Sequence, residues 1–258
     1  MIVVSLASAH EFWLEPIHFK IKANEKIQAH EKVGQDFKGN SYAYLESSYE
    51  NLNLTIGENT RAIKSRLGDL PAVNVAVEKE GLAILSAVTT PSEITYETWE
   101  EFSNFINSKG LQWVFDEHKK RNLPEKNFVE TYRRYVKSLV KIGDGKGNDK
   151  ALGLTFEWVL ETNPYTSREG AIKAQLLWKG RPHVNAQVSV FNRIKGELIK
   201  SKLMTDELGK VEIPRSAGGM FLINAVHMIE APTKMATEKN AVWESRWASI
   251  TYELTLNK

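Results

Sequence analysis

With 258 residues, 42% of them hydrophobic and 26% charged, the chain is long enough to bury a sizeable core and has an ordinary globular make-up. Its 34 basic and 32 acidic side chains nearly cancel, leaving +2, which argues against a broad electrostatic surface for DNA, RNA or anionic lipid. There is no cysteine, so disulfides, thiolate nucleophiles and Cys-ligated zinc or iron–sulfur centres are excluded.

At the N-terminus, Ile2–Leu6 is apolar and Ala7-Ser8-Ala9 supplies the small residues that precede a signal-peptidase cut. Residues 1–9 are therefore expected to be a signal-peptide remnant, with His10-Glu11-Phe12-Trp13 as the mature start and a location outside the cytoplasm. No other stretch approaches the ~18–20 apolar residues needed to span a bilayer. Residues 10–90 form the first expected unit, a small antiparallel sandwich. Ile17, Phe19 and Ile21 alternate with polar neighbours, as do Leu52, Leu54 and Ile56, and then Val73, Val75 and Val77.

Residues 91–147 break that rhythm and read as a helical insert and linker. Thr95 is placed to cap a helix carrying Trp99, Phe102 and Ile106, which Gly110 ends. After Pro124, the apolar stripe Phe128, Tyr132, Tyr135, Leu139 and Ile142, with Glu130, Arg133, Arg134, Lys137 and Lys141 between, predicts a second helix packed on one face. Gly143–Asp149 lacks the spacing of a phosphate loop or a calcium loop and reads as a flexible turn. In residues 148–258 strands are expected at Ile172–Trp178, Ala186–Ile194, Leu198–Thr205, Lys210–Pro214, Phe221–Ile229 and Trp247–Leu256. The expected fold is mostly β: two antiparallel sandwiches of immunoglobulin- or transthyretin-like type with a helical insert between them.

Six histidines are the obvious donors for chemistry: His10, His18, His30, His118, His183 and His227. None forms a helical zinc-protease pair, and no nucleophile elbow is present, so no catalytic residue is assigned. Cleavage before His10 would let its α-amine and Nδ1 chelate one ion, which suits Cu(II) or Ni(II). His227 shares the phase of Phe221, Ile223 and Ala225 and is the natural partner. Glu157, Glu230 and His30 are weaker candidates, as ligands or as groups that orient an imidazole. His118 and His183 look like ordinary surface residues, and the seven tryptophans are more simply core rings than a sugar platform.

Several blocks in order resemble the NikM-like family of bacterial periplasmic domains of unknown function, found with nickel-uptake systems. They are His10–Pro16, Val33–Gly39, Glu130–Lys137, Glu157–Tyr165, Gly180-Arg181-Pro182, Ala225–Met228 and Trp243–Ser249. His10 matches the family's leading histidine and His227 its late-strand histidine, whereas His183 stands where that turn usually carries a nonpolar residue. The resemblance implies an exported protein with two β-rich parts and a link to nickel or cobalt. The leading expectation is a non-enzymatic periplasmic accessory that holds Ni(II), Co(II) or Cu(II) and passes it to a membrane metal transporter. The alternatives are a module binding a glycan, peptide or envelope partner, and a copper-dependent oxidative enzyme.

Overall fold

A computed structural model describes residues 10–215 and 218–255, so the expected signal-peptide remnant lies outside the described residues. In chain order, the strands β1 (Glu11–Pro16), β2 (Lys20–Ile21), β3 (Lys26–Gln35), β4 (Lys38–Tyr42), β5 (Tyr49–Ile56), β6 (Asn59–Ala62), β7 (Val73–Ala76), β8 (Gly81–Thr89) and β9 (Ser92–Tyr96) come first. The helices α1 (Trp99–Lys109) and α2 (Trp113–Lys120) follow, then β10 (Phe128–Ile142), β11 (Phe156–Leu160), β12 (Ile172–Trp178) and β13 (Arg181–Pro182). The remainder is β14 (Gln187–Ile194), β15 (Glu197–Met204), β16 (Lys210–Ile213), β17 (Gly219–Glu230), the short helix α3 (Thr233–Lys239) and β18 (Ala241–Leu254).

The protein is mostly β, with three sheets. The largest runs β15-β14-β17-β18-β10-β8-β5-β6, with β2 and β9 also pairing to β10. A second sheet, β1-β3-β4 with β7 on β3, covers one face of it together with α1 and α2; Phe12, Leu14 and Ile27 meet Leu85 and Val136 there. The third, β11-β12-β13 with β16 on β12, covers the other face, where Phe156, Trp158 and Leu176 meet Ile223, Ala248 and Tyr252. The strand order gives no support to two separate sandwiches, because β10 joins strands from both expected halves into one sheet.

The helix expected after Pro124 is instead β10, at the centre of that sheet. It pairs parallel with β18 and antiparallel with β8 and β9. Its β-branched and aromatic residues (Val129, Thr131, Tyr132, Tyr135, Val136, Val140, Ile142) favour the pleated conformation. Its charged residues suggested a solvated helix face, yet Glu130, Arg134 and Lys137 are buried with partners. On one side of the strand lie Glu130, Arg134, Val136 and Val140, and on the other Tyr135, Lys137 and Leu139. The chain order of apolar residues satisfied a helical period by coincidence, because a strand buried on both faces has no polar phase.

The first expected helix is present as α1, but its cap is Thr98 rather than Thr95. Thr98 and Glu101 form a reciprocal capping box, and Gly110 ends the helix in the left-handed region (φ 72°). Thr95 is unavailable because it pairs with Val129 in β9. Of the alternating stretch from Ile17 to Ile21 only Lys20–Ile21 is a strand, and Ile17 is exposed although Phe19 is buried. The glycine-rich segment 143–149 is pinned rather than loose. Asp149 reaches into the core to pair with Lys137 at 2.5 Å, and Asn163 donates to the carbonyls of Gly145 and Gly147.

Candidate functional site

The β12–β13 hairpin turns through Lys179-Gly180, both at positive φ (49° and 74°), with Trp178 paired to Arg181. A two-residue turn of this kind matches the twist of its strands and fixes the register beyond it. The amide of His183 donates to the carbonyl of Leu176 at 2.9 Å, so His183, Leu176 and Trp178 share one phase and point toward the large sheet. From that sheet, His227 on β17 points back in phase with Ile223 and Ala225.

The result is a cluster that spans two layers. The rings of His183 and His227 lie 4.5 Å apart at 74°, and Trp178 lies 4.5 Å from His227. Phe156 forms the floor, 5.4 Å from His183 and 6.0 Å from His227. Both imidazoles are partly buried, and no ring nitrogen of either has a hydrogen-bond partner among the described residues. Burial pushes the His183 pKa down. His227 is pushed down to about 4, first by burial and then by the charges of His183, Arg246 and Lys179. Both rings are therefore neutral near pH 7, and each presents one lone pair.

His10 and His227 are not brought together. The backbone carbonyl of His10 accepts from Arg134, which stacks over Phe12 on the face covered by β1. Arg134 pairs in register with Trp247, and Trp247 with Val226, the residue before His227. Successive side chains of a strand point to opposite faces, so the sheet itself separates the two histidines. His10 lines a cleft of about 390 Å³ with Glu11, Asp36, Lys109 and Lys202.

The weaker candidates also lie elsewhere. Glu157 is buried and accepts from the amides of Leu152, Gly153 and Leu154, so its oxygens clamp a backbone turn. Glu230 is exposed at the end of β17, near Arg121. His30 sits on β3 opposite Glu15, with a buried Nδ1 that has no partner. Among the described residues no group of three or more His, Asp or Glu is placed to hold a metal ion.

His118, expected at the surface, is buried at 2% exposure. Its Nδ1 accepts from the Trp243 indole at 3.0 Å, so Nε2 carries the proton and donates to the Pro124 carbonyl. Glu130, also missed, is fully enclosed and accepts from Tyr96 and Ser245. Burial raises its carboxyl to about 7. Four tryptophans (Trp13, Trp158, Trp243 and Trp247) are core rings, whereas Trp113 is 47% exposed.

The geometry thus describes a β-rich protein in which two sheets enclose a half-open imidazole pair. The family described as "Domain of unknown function (DUF4198)" matches residues 7–229, and the chain belongs to that family. Comparison with curated proteins finds no match.

Proposed function

We propose that this protein binds a transition-metal ion outside the cytoplasm through His183 and His227, and passes it to a membrane metal transporter. Ni(II), Co(II) and Cu(II) are the ions in question, since imidazole nitrogen suits all three. The observation that carries the reading is the free, neutral imidazole pair. With metal–nitrogen bonds of about 2.0–2.1 Å, two imidazoles bound at right angles to one ion have ring centres roughly 4.5 Å apart. His183 and His227 have that separation. The resemblance to periplasmic proteins of nickel-uptake systems favours Ni(II), and export is expected from the Ala7-Ser8-Ala9/His10 junction.

Two protein donors make a shallow site, which suits delivery better than permanent retention. His10 takes no part in this site, although the sequence pairs it with His227. Titration with Ni(II) or Cu(II), followed by fluorescence, tests the assignment, because Trp178 stands beside His227. Binding should quench emission in the wild type and in His10→Ala, and should be lost in His183→Asn and His227→Gln. Loss in His10→Ala with retention in the other two would move the site to the chain's N-terminal end and overturn the proposal.

A further inference from the structure

The surroundings of the imidazole pair select the form in which a metal would arrive. Two donors leave at least two coordination positions empty, even for a four-coordinate ion. No third His, Asp or Glu converges on the pair among the described residues. For an ion held there, the completing donors would come from outside this set of side chains.

The charges that bear on His227 are positive, although Asp206 and Glu207 follow Thr205, whose hydroxyl donates to the His183 carbonyl. The Lys179 ammonium lies 5.2 Å from the centre of the Trp178 ring, which itself touches His227. Arg181 is exposed on the same hairpin. Arg246 is the cross-strand neighbour of His227. The Arg246 guanidinium is engaged by Glu244 and the Tyr135 hydroxyl. Neither Lys179 nor Arg181 has a carboxylate partner among the described residues. A hydrated dication meets repulsion at such a rim, whereas an ion wrapped in carboxylates presents oxygens to it.

We propose that the cargo at His183 and His227 is a metal ion already chelated by a small anionic carboxylate ligand. The imidazoles would take open positions on the ion, and Lys179 and Arg181 would hold the chelator's free carboxylates. This rests on the two-imidazole reading and names its substrate class.

The test is calorimetric titration of the full chain near pH 7, in a non-coordinating buffer. Three injectants are compared: Ni(II) chloride, a one-to-one Ni(II)–citrate complex, and citrate alone. The complex should bind at least about tenfold more tightly than the chloride, and citrate alone should bind weakly. His227→Gln should abolish binding of the complex. Lys179→Glu, a change in an exposed turn, should weaken the complex several-fold and tighten the chloride. Circular dichroism of each variant checks that it folds. Ni(II) chloride binding as tightly as the complex overturns this inference and leaves the two-imidazole site standing. Binding of neither overturns both. Citrate binding equally without metal, and unaffected by His227→Gln, also overturns it and identifies a plain carboxylate site.

Discussion

Removing the carboxylate of Asp149 should destabilise the protein more than any surface change, because of what it leaves behind. Lys137 is 1% exposed, at the centre of the large sheet. Its ammonium donates to the carbonyls of Lys150 (2.9 Å) and Trp158 (2.8 Å) and meets Asp149 at 2.5 Å. Asp149 also accepts from the buried amide of Leu160 at 2.8 Å. Asp149→Ala strands a buried cation, which costs about 3–5 kcal/mol. It also orphans an amide, at about 1–3 kcal/mol. The two losses overlap, so about 4–6 kcal/mol is expected. At roughly 2–4 °C per kcal/mol for a chain near this size, the melting temperature should fall on the order of 10–20 °C. Thermal and urea denaturation followed by far-ultraviolet circular dichroism measures it. The double variant Lys137→Met/Asp149→Asn removes both charges and keeps an acceptor for Leu160, and should recover most of the loss. A single-variant cost below about 1 kcal/mol, or a double variant no better than the single, would refute the argument.

Two pH effects should oppose each other. Glu130 is raised from 4.5 to about 7 by burial, so its stabilising contribution is complete below pH 4.5 and is lost as pH rises through 7, by about 3 kcal/mol. His227 is lowered from 6.5 to about 4, so its contribution is complete above pH 6.5 and is lost as pH falls toward 4, by up to about 2–3 kcal/mol. In denaturant midpoints measured from pH 4 to pH 8, Glu130→Gln should steepen the rise of stability with pH. His227→Gln should instead leave stability falling with pH; parallel profiles for all three proteins would contradict both assignments. Thr98→Ala removes one half of the α1 capping box and should cost about 1 kcal/mol by urea unfolding.

Most strands after residue 170 could be read from alternation and turn residues; β18, buried on both faces between β10 and β17, begins at Ala241, six residues before the expected Trp247. β10 could not, because its partners are the distant β18, β8 and β9, and burial on both faces erased the alternation. The charges of Glu130 and Lys137 were legible as charges, but not as buried ones, since Ser245 and Asp149 reach them only in the fold. His227 was legible through its core phase. His183 was readable in principle. Lys179-Gly180 marks a two-residue turn, which places His183 in step with Trp178 and Leu176. What no local pattern could show was the sheet between His10 and His227, which depends on where β1 lies across β18.

The position of β18 has a further consequence, for the order in which the molecule can assemble. Residues 241–254 lie between β10 and β17, and the hydroxyls of Ser249 and Thr251 donate to the carbonyls of Phe12 and Leu14, 237 residues earlier. Until that segment is made and inserted, β10 has an open edge and β1 has no partners for those carbonyls. Contacts of such long sequence separation are slow to form. The sheet should therefore stay unlocked until residues 241–254 are made and then close, as a zip fastens when its slider passes.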